Sequence, residues 1–292
     1  MSTSVAMSAG VRPRVSRPRN RVVRTGRIPG LGRIAFTRDP GEAELFSKHY
    51  LATKLRAIIR EPDGRLVEEH DLGSGLVTNV GVLALANDWK VPGVSAAPAN
   101  LFANLKFGAW GTGSTAAATT NIKLETPAAP NATEATEGIQ TVTTNGEGKP
   151  KFVLTTKITA ESSISITEFG VFTKKKLSST TGTPLTAKSA TSGTVTGTPL
   201  TASSTTVLGE TLQILFATAS ENIWGLVTSN TTSVVTVPAW YKESNGTVLE
   251  PSATSAFTLR PIMFDRRVFT SIGVESGNTI EFPWELEIKS GG

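Results

Sequence analysis

The last stretch of the chain, Phe264–Ile288, decides the fold and reads FDRRVFTSIGVESGNTIEFPWELEI. From Ile280 onward every second residue is apolar, and most of the positions between are glutamate. This period of two predicts a β-strand with one buried face. The β-prone run Val268–Val274 and the turn-forming residues Glu275–Asn278 predict a second strand, joined to the first as a hairpin. A terminal strand pair of this kind requires a larger sheet to receive it.

The composition predicts a β-rich globular protein. Its 292 residues, 38% of them hydrophobic, are enough for one large or two ordinary domains. Short apolar runs alternate with Thr, Ser, Ala and Gly, which favours an all-β, antiparallel, jelly-roll-like β-sandwich with one or two short helices. The chain has no Cys, which excludes disulfides and Cys-ligated metals. The apolar runs are too short to span a bilayer and residues 1–10 lack a signal-peptide core, so we expect synthesis in the cytoplasm and no membrane partner.

The basic charge of the chain is concentrated at its start. The nine arginines of the first 38 residues precede the first acid, Asp39, and the remaining residues carry 20 basic and 24 acidic side chains. Prolines and glycines interrupt this segment, which favours extended backbone over helix. We predict an extended arm over residues 1–45 with no fold of its own, either a solvated tail or an assembly arm ordered by a neighbour or by nucleic acid. Its arginines are Arg12, Arg14, Arg17, Arg19, Arg21, Arg24, Arg27, Arg33 and Arg38.

The rest of the chain divides by composition into three segments. Residues 46–176 are predicted to form the first part of a β-sandwich core, residues 177–256 a Thr/Ser-rich insertion or protruding β subdomain, and residues 257–292 the strands that complete the core. The hexapeptide GTPLTA occurs at 182–187 and again at 197–202, which is too few copies for a solenoid. We therefore expect Ser178–Ser204 to be an exposed hairpin or loop that can be removed at little cost.

Turn and helix-cap signals locate the first secondary-structure elements after the arm. Glu61–Gly64 is a strong turn sequence and predicts a hairpin between Lys54–Ile59 and Arg65–Glu69. Short helices are predicted over Glu42–Tyr50 and Val80–Asp88. Thr78 or Asn79 is expected to cap the second helix. Its predicted apolar face is Val82, Leu83, Leu85 and Ala86.

Further strands follow from apolar patterning. Gly170 is expected to mark a bulge, and Pro238 an edge strand. The predicted strands are Leu101–Trp110, Gly138–Thr144, Phe152–Ile158, Ser163–Thr173, Leu212–Phe216, Ile223–Thr228, Val234–Trp240 and Phe257–Met263.

No residue pattern points to catalysis, a cofactor or a metal. His49 and His70 do not have metal-ligand spacing, and no GxSxG motif accompanies His70-Asp71. Gly111–Ser114 resembles a phosphate-binding loop, but no Lys follows in the Walker position, so a turn is favoured. The acidic row Glu281, Glu285 and Glu287 is interpreted as a solvated strand face, not as glycosidase carboxylates. The five tryptophans lie in apolar runs and are expected in the core.

Four stretches, in this order along the chain, resemble the tail-collar and tail-fibre attachment modules of tailed bacteriophages. They are LGSGLVTNVGVLALANDW at 72–89, LKFGAWGTGSTAAATTNIKLETP at 105–127, SISITEFGVF at 163–172 and the C-terminal FDRRVFTSIGVESGNTIEFPWELEI. The resemblance implies a β-rich virion protein with a structural role and no enzymatic activity. No collagen-like, coiled-coil or repeat shaft follows, so an adaptor, collar, baseplate or capsid-decoration subunit fits better than a receptor-binding fibre.

The expected function is therefore that of a non-enzymatic structural protein of a tailed-phage virion. It would form homo-oligomers and bind other virion proteins by arm exchange and β-sandwich contacts, with no small-molecule substrate. The alternative is a coat or capsid-decoration protein whose basic arm binds nucleic acid. A glycan-binding module is a third interpretation and has the least support in the sequence.

Overall fold

The computed structural model describes residues 22–28, 32–38, 50–89, 101–144, 150–195, 212–217, 222–251 and 256–289. The chain divides into two units, residues 1–48 with 291–292 and residues 49–290. In the first unit, β1 (Val22–Ile28) and β2 (Gly32–Arg38) pair antiparallel. The sequence analysis predicted extended backbone here but not the pairing of two strands. Most of the predicted helix Glu42–Tyr50 lies outside the described residues, and Tyr50 itself begins a strand.

The second unit consists mainly of antiparallel strands, which confirms the all-β prediction. Its first half contains β3 (Tyr50–Arg60), β4 (Leu66–Ser74), β5 (Leu76–Val77), α1 (Asn79–Trp89), α2 (Leu101–Asn104), β6 (Phe107–Gly111), β7 (Thr136–Glu137), β8 (Ile139–Thr144), β9 (Pro150–Thr159) and β10 (Ile164–Phe172). Its second half contains β11 (Ser179–Ser189), β12 (Ser192–Val195), β13 (Leu212–Ala217), β14 (Asn222–Leu226), β15 (Ser229–Asn230), β16 (Val234–Thr236), β17 (Trp240–Lys242), β18 (Ala256–Pro261), β19 (Met263–Val274) and β20 (Thr279–Lys289).

Two five-stranded sheets form the sandwich. Their strand orders are β4-β3-β20-β9-β8 and β5-β19-β10-β6-β7. Aromatic side chains join the sheets across the core: Phe282 of β20 stacks on Phe169 of β10 with ring centroids 4.2 Å apart, and Trp284 meets Phe264 of β19 edge to face at 5.8 Å. The strand at the end of the chain is therefore the centre of one sheet and faces the other.

The alternating pattern of β20 is confirmed. Its side chains Ile280, Phe282, Trp284 and Leu286 are at most 2% exposed. Pairing with β3 is interrupted between Glu281 and Trp284. Pro283 lies in this interruption, whereas its pairing with Thr155 of β9 continues, so the missing N–H interrupts only the ladder with β3 and a proline is accommodated in a central strand.

The predicted hairpin between β19 and β20 is wrong, because the two strands belong to different sheets. Glu275–Asn278 is a turn, with φ +82° at Gly277, but it carries the chain from one sheet to the other. The link Ala160–Ser163 between β9 and β10 makes the same crossing beside it. Backbone bonds join the two links, from Gly277 N to Ala160 O (2.8 Å) and from Ala160 N to Asn278 O (2.9 Å). The strands cross because both have an apolar face to bury, and each face covers the other.

The predicted turn at Glu61–Gly64 and the predicted helix at Val80–Asp88 are confirmed, with one correction. Gly64 adopts φ +89° in the turn between β3 and β4, which pair as predicted. Thr78 caps α1 and accepts a first-turn N–H at 3.1 Å. Val82 was assigned to the apolar face but is 48% exposed. The buried face instead carries Val80, Ala84 and Leu85. Among the described residues, no helix is long and apolar enough to cross a membrane.

Three further strand predictions need correction. The predicted strand Leu101–Trp110 begins instead with helix α2 and becomes extended only in β6. Gly170 lies in regular pairing, and the register of β10 with β19 shifts on either side of it, between Ile166 and Glu168 and between Val171 and Phe172. Val234–Trp240 contains β16 and the first residue of β17, and Pro238 lies between them. Of the two, only β17 is an edge strand.

The Thr/Ser-rich region contributes to a third sheet of eight strands, ordered β15-β16-β12-β11-β18-β13-β14-β17. The first GTPLTA copy lies in β11, and the second lies outside the described residues. Strands β11 and β12 form the predicted hairpin, but they also pair with β18 and β16, respectively. This position inside a sheet argues against the expectation that Ser178–Ser204 can be deleted at little cost, because the deletion would remove two interior strands.

We expect Phe282→Ala to destabilise the protein by about 3 to 5 kcal/mol, because it empties the centre of the sandwich where Phe169 and Trp110 both contact this ring. The control Val248→Ala removes a side chain that is 59% exposed and should change stability by less than about 0.5 kcal/mol. Chemical denaturation of both variants measures the difference. Equal effects would contradict the central position of β20.

Candidate functional site

A buried carboxylate, Glu168 of β10, is the centre of the most extensive polar cluster in the described part of the chain. Its side chain is fully buried. Its Oε1 accepts backbone N–H groups from Gly113 (3.2 Å) and Thr126 (2.7 Å), and its Oε2 accepts that of Glu125 (3.1 Å). Both oxygens are thus bound by the loop that follows β6.

Arg266 of β19 supplies the opposite charge. It is 2% exposed and donates from Nε to Glu168 Oε2 at 2.9 Å. Its Nη1 donates to Asn121 Oδ1 at 2.9 Å and its Nη2 to Glu125 Oε2 at 3.3 Å. Every nitrogen of the guanidinium therefore has a partner. A buried ion pair is tolerated when its remaining donors and acceptors are satisfied in this way.

The cluster fixes a loop whose large buried apolar side chains are Ile122 and Leu124. Glu125 accepts the backbone N–H of Thr115 at 2.8 Å and its hydroxyl at 2.7 Å. These two bonds, with a smaller contribution from Arg266, lower the pKa of the Glu125 carboxyl. Thr167 donates its hydroxyl to Gly113 O at 2.8 Å. A Cβ at Gly113 would collide with Glu125 and Glu168, so the loop can lie this close only with glycine at that position.

Four separate stretches of the chain, residues 72–89, 105–127, 163–172 and 264–288, meet at this place. The 105–127 stretch supplies the loop, the 163–172 stretch supplies Glu168, and the C-terminal stretch supplies Arg266. The 72–89 stretch joins through Thr78, whose backbone N–H donates to Phe264 O at 2.9 Å and whose hydroxyl donates to Met263 O. The N–H of Asn79 also donates to Thr119 O, at 2.6 Å. Residues separated by more than 180 positions therefore form one contact region.

A second buried pair lies on the same strand, at Asp265 and Arg267. These residues pair with Val171 and Phe169 of β10, which belong to the core, so their side chains point to the sandwich interior. Asp265 accepts the indole N–H of Trp284 at 2.7 Å, and Arg267 donates from Nη1 to the carbonyls of Leu72 (2.9 Å) and Gly73. The carboxylate and guanidinium are 4.0 Å apart. The pair thus ties β19 to both β20 and the end of β4.

The pKa of Asp265 is raised, chiefly by burial, and the charge of Arg267 and the bond from Trp284 offset only part of that effect. Burial likewise lowers the pKa of Arg267. Asp265 Oδ1 and the Nε and Nη2 atoms of Arg267 make no hydrogen bond within the described part of the chain. This pair is therefore less well satisfied than Glu168 and Arg266, and we expect it to lower stability at neutral pH.

The chemistry of the Glu168–Arg266 cluster is that of a structural clamp. Each oxygen of Glu168 accepts from at least two donors of the chain itself, so both oxygens are engaged in holding the loop and β19. Of the residues considered for a phosphate-binding loop, Gly113 gives its N–H to Glu168. The chain's own carboxylate thus occupies that donor.

The other candidates for chemistry are accounted for by packing or ion pairs. Glu281 lies 3.6 Å from Arg60 and Glu285 lies 2.8 Å from Lys151, on the polar face of β20. The side chains of Trp110, Trp224, Trp240 and Trp284 are at most 3% exposed, which confirms their core position, and that of Trp89 is outside the described set. His49 is not among the described residues. Across the described ranges, no group of three or more His, Asp or Glu side chains is arranged to hold a metal.

The structure brings part of the arginine arm together. The pairing of β1 with β2 places Arg27 opposite Arg33, Arg24 opposite Phe36, and Arg38 opposite Val22. The remaining arm arginines, Arg12, Arg14, Arg17, Arg19 and Arg21, lie outside the described residues.

Comparison of the chain with protein-family models, with curated proteins and with solved structures finds no match in any of the three. The assignment of function therefore rests on the residues and contacts of this chain.

Sequence reasoning did not predict the buried residues Glu168, Arg266, Asp265 and Arg267 as a cluster. A signal was present, since each is a charged residue inside a β-prone run with bulky apolar neighbours. A charge in such a run must be paired if the strand is buried on both faces. What the sequence could not supply was the identity of the partner, which lies about a hundred residues away for Glu168 and Arg266.

We expect Arg266→Met to lower the free energy of unfolding by about 3 to 5 kcal/mol, because it leaves the carboxylate of Glu168 buried without its counter-charge. The matched control is Arg56→Met, which breaks an ion pair with Glu69 whose side chains are both 45% exposed and should cost less than about 1 kcal/mol. Urea denaturation of the two variants measures both values. A loss for Arg266→Met no larger than that of the control would contradict the clamp.

The stability of the wild type relative to Asp265→Asn should fall as pH rises above about 4. The unfolded pKa of Asp is about 3.9 and burial raises the folded pKa, so above pH 4 the native state holds a proton that the unfolded state releases. The stabilising contribution of Asp265 to the free energy of unfolding is therefore fully present below about pH 4, and it is lost as pH rises through the pKa that Asp265 has in the folded protein. Unfolding free energies of both proteins from pH 4 to 7 measure this slope, and a difference that grows with pH would contradict it.

Proposed function

We propose that the chain is a non-enzymatic structural component of a tailed-phage virion, acting as an adaptor at the tail, collar or baseplate or as a fibre-attachment protein. The observation that supports this most is the convergence of the four resembling stretches on the Glu168–Arg266 cluster. The stretches supply four neighbouring strands of one sheet, in the order β5-β19-β10-β6, together with the loop that follows β6. Their shared role in holding one loop supports a scaffold that they specify together.

The arm supports assembly as the way in which this scaffold is used. It carries nine arginines and no acid before Asp39. Such a segment buries too little apolar surface to be stable alone and is ordered by a partner. The charge of the arm, with nine arginines and no acid before Asp39, favours an anionic partner.

The second unit offers acidic surface of the required kind. Edge strand β4 carries Glu68, Glu69 and Asp71, and the side chains of Glu68 and Glu69 are 56% and 45% exposed. Arm exchange between subunits would bring these acids and the arginines of a neighbouring copy together. Such contacts are partly screened at physiological salt, where the Debye length is about 8 Å, so apolar residues of the arm such as Val22 and Ile34 would contribute as well.

The second candidate is a coat or capsid-decoration protein whose arm binds packaged nucleic acid, and the same arginine spacing favours it. Neutralising phosphates with several arginines gives an affinity that falls steeply with salt and ignores sequence. Filter binding of the full chain to DNA across a salt series separates the candidates. A protein-binding arm predicts little DNA retention at physiological salt, whereas a nucleic-acid arm predicts retention that persists at physiological salt and is lost only as salt rises further.

Removing Met1–Arg38 should leave a folded second unit that no longer enters virions stably, because the arm supplies the intersubunit contacts. The control is a full-length variant with all nine arginines changed to lysine. It keeps the charge but loses bidentate recognition, so we expect intermediate occupancy. Quantifying the protein in purified particles after a high-salt wash gives the occupancy of the wild type, the truncated chain and the lysine variant. A truncated chain present at wild-type occupancy would contradict the proposal.

A further inference from the structure

The free sheet edges of the sandwich differ in how well they are protected. An unpaired strand edge exposes N–H and C=O groups that another strand can bind, and proteins block such edges with charges, bulges, prolines or very short strands. Among the described strands, the sandwich ends at β4, β8, β5 and β7. Strands β5 and β7 have two residues each and offer little backbone.

Strand β4 is protected by charge and by irregular pairing. It carries Glu68, Glu69 and Asp71 within nine residues. Its register with β3 shifts twice, between Lys54 and Arg56 and between Ile59 and Arg60 of the partner strand. Both features disfavour the addition of an identical strand, because acids would meet acids along a distorted edge.

Strand β8 has neither kind of protection. Its sequence, IQTVTT, contains no charged residue and no proline, and it pairs with β9 through six consecutive residue pairs without a register shift. Ile139 is 72% exposed and Val142 is 75% exposed, the highest values among the exposed large hydrophobic side chains of the described chain. Because their numbers differ in parity, they lie on opposite faces of the strand. Apart from Gln140, whose amide donates to the carbonyls of Phe102 and Leu105, the residues of β8 are exposed on both faces. As the last strand of its sheet, β8 also has an edge with no partner strand among the described residues.

We propose that β8 is a self-association strand, and that it pairs antiparallel with β8 of a second copy of this chain. The pairing would join two five-stranded sheets into one continuous sheet across a two-fold axis. A second copy is the favoured occupant because β8 has no ionisable group, so two copies meet without like-charge repulsion. Its Thr and Val residues are also among those that pair well across strands. The arm is a poorer fit, since β8 offers its arginines no acid.

This association is independent of the virion role, because it uses neither the arm nor the polar cluster. The effect of salt concentration on the association also distinguishes it from arm exchange. Arm contacts weaken as the Debye length falls to about 3 Å at 1 M salt, whereas backbone pairing and apolar contacts at β8 do not depend on charge.

Sedimentation velocity of the full chain tests the proposal. We expect a dimer at physiological and at about 1 M salt. Val142→Lys should raise the dimer dissociation constant by about tenfold or more, because each copy brings a lysine to the shared strand pair. The control Val67→Lys changes a residue of β4 that is 51% exposed and should leave the constant unchanged. Circular dichroism melts confirm that both variants stay folded.

Single-cysteine variants locate the two-fold axis of the proposed dimer, since the natural chain contains no cysteine. Near a two-fold axis an antiparallel pair brings a residue and its own copy to a Cα separation of about 4.5 to 5.5 Å, within reach of a disulfide. One of Gln140→Cys, Thr141→Cys or Val142→Cys should form a covalent dimer under mild oxidation, while Val67→Cys should not. A monomeric wild type, a dimer that Val142→Lys does not weaken, or cross-linking through Val67→Cys alone would each overturn the proposal.

Discussion

The hydrogen-bonded ion pair between Glu168 and Arg266 is the interaction on which the local structure of this protein most depends. Two charges are removed from water at the junction of β10, β19 and the loop after β6. Such a pair is stable only if its other donors and acceptors are also satisfied. The loop satisfies them with backbone N–H groups, so the electrostatic requirement of two buried side chains fixes the path of a segment made largely of Gly, Thr and Ala.

The clamp and the apolar core depend on the same strands. Strand β19 carries Phe264 into the core and Arg266 into the loop contact, and β10 does the same with Phe169 and Glu168. The two links that cross between the sheets bond to each other at one end of the sandwich. A change in the register of β19 would therefore disturb the core, the clamp and the crossing together. This shared dependence explains how stretches that are far apart along the chain act in one place.

Local features of this fold could be predicted from the sequence, and features set by long-range pairing could not. The burial of alternate residues in β20, the positive φ of Gly64 and the cap at Thr78 follow from neighbouring residues alone. The sheet assignment of β19 and β20 was missed because Glu275–Asn278 suits both a hairpin and a crossing between sheets. For the candidate site, the sequence alone shows that charged residues interrupt apolar runs. Their pairing required knowing that β10 and β19 are neighbours.

If Glu168 fixes the loop after β6, that loop should open no more easily than the strands themselves. Native-state hydrogen exchange of the Gly113, Glu125 and Thr126 amides tests this directly, with the exposed Ala116 of the same loop as an internal reference. We predict that these three amides exchange with the protection of the β10 and β19 amides, while Ala116 exchanges quickly. Exchange of all four at the rate of Ala116 would contradict it, because the loop would then open independently of the sandwich.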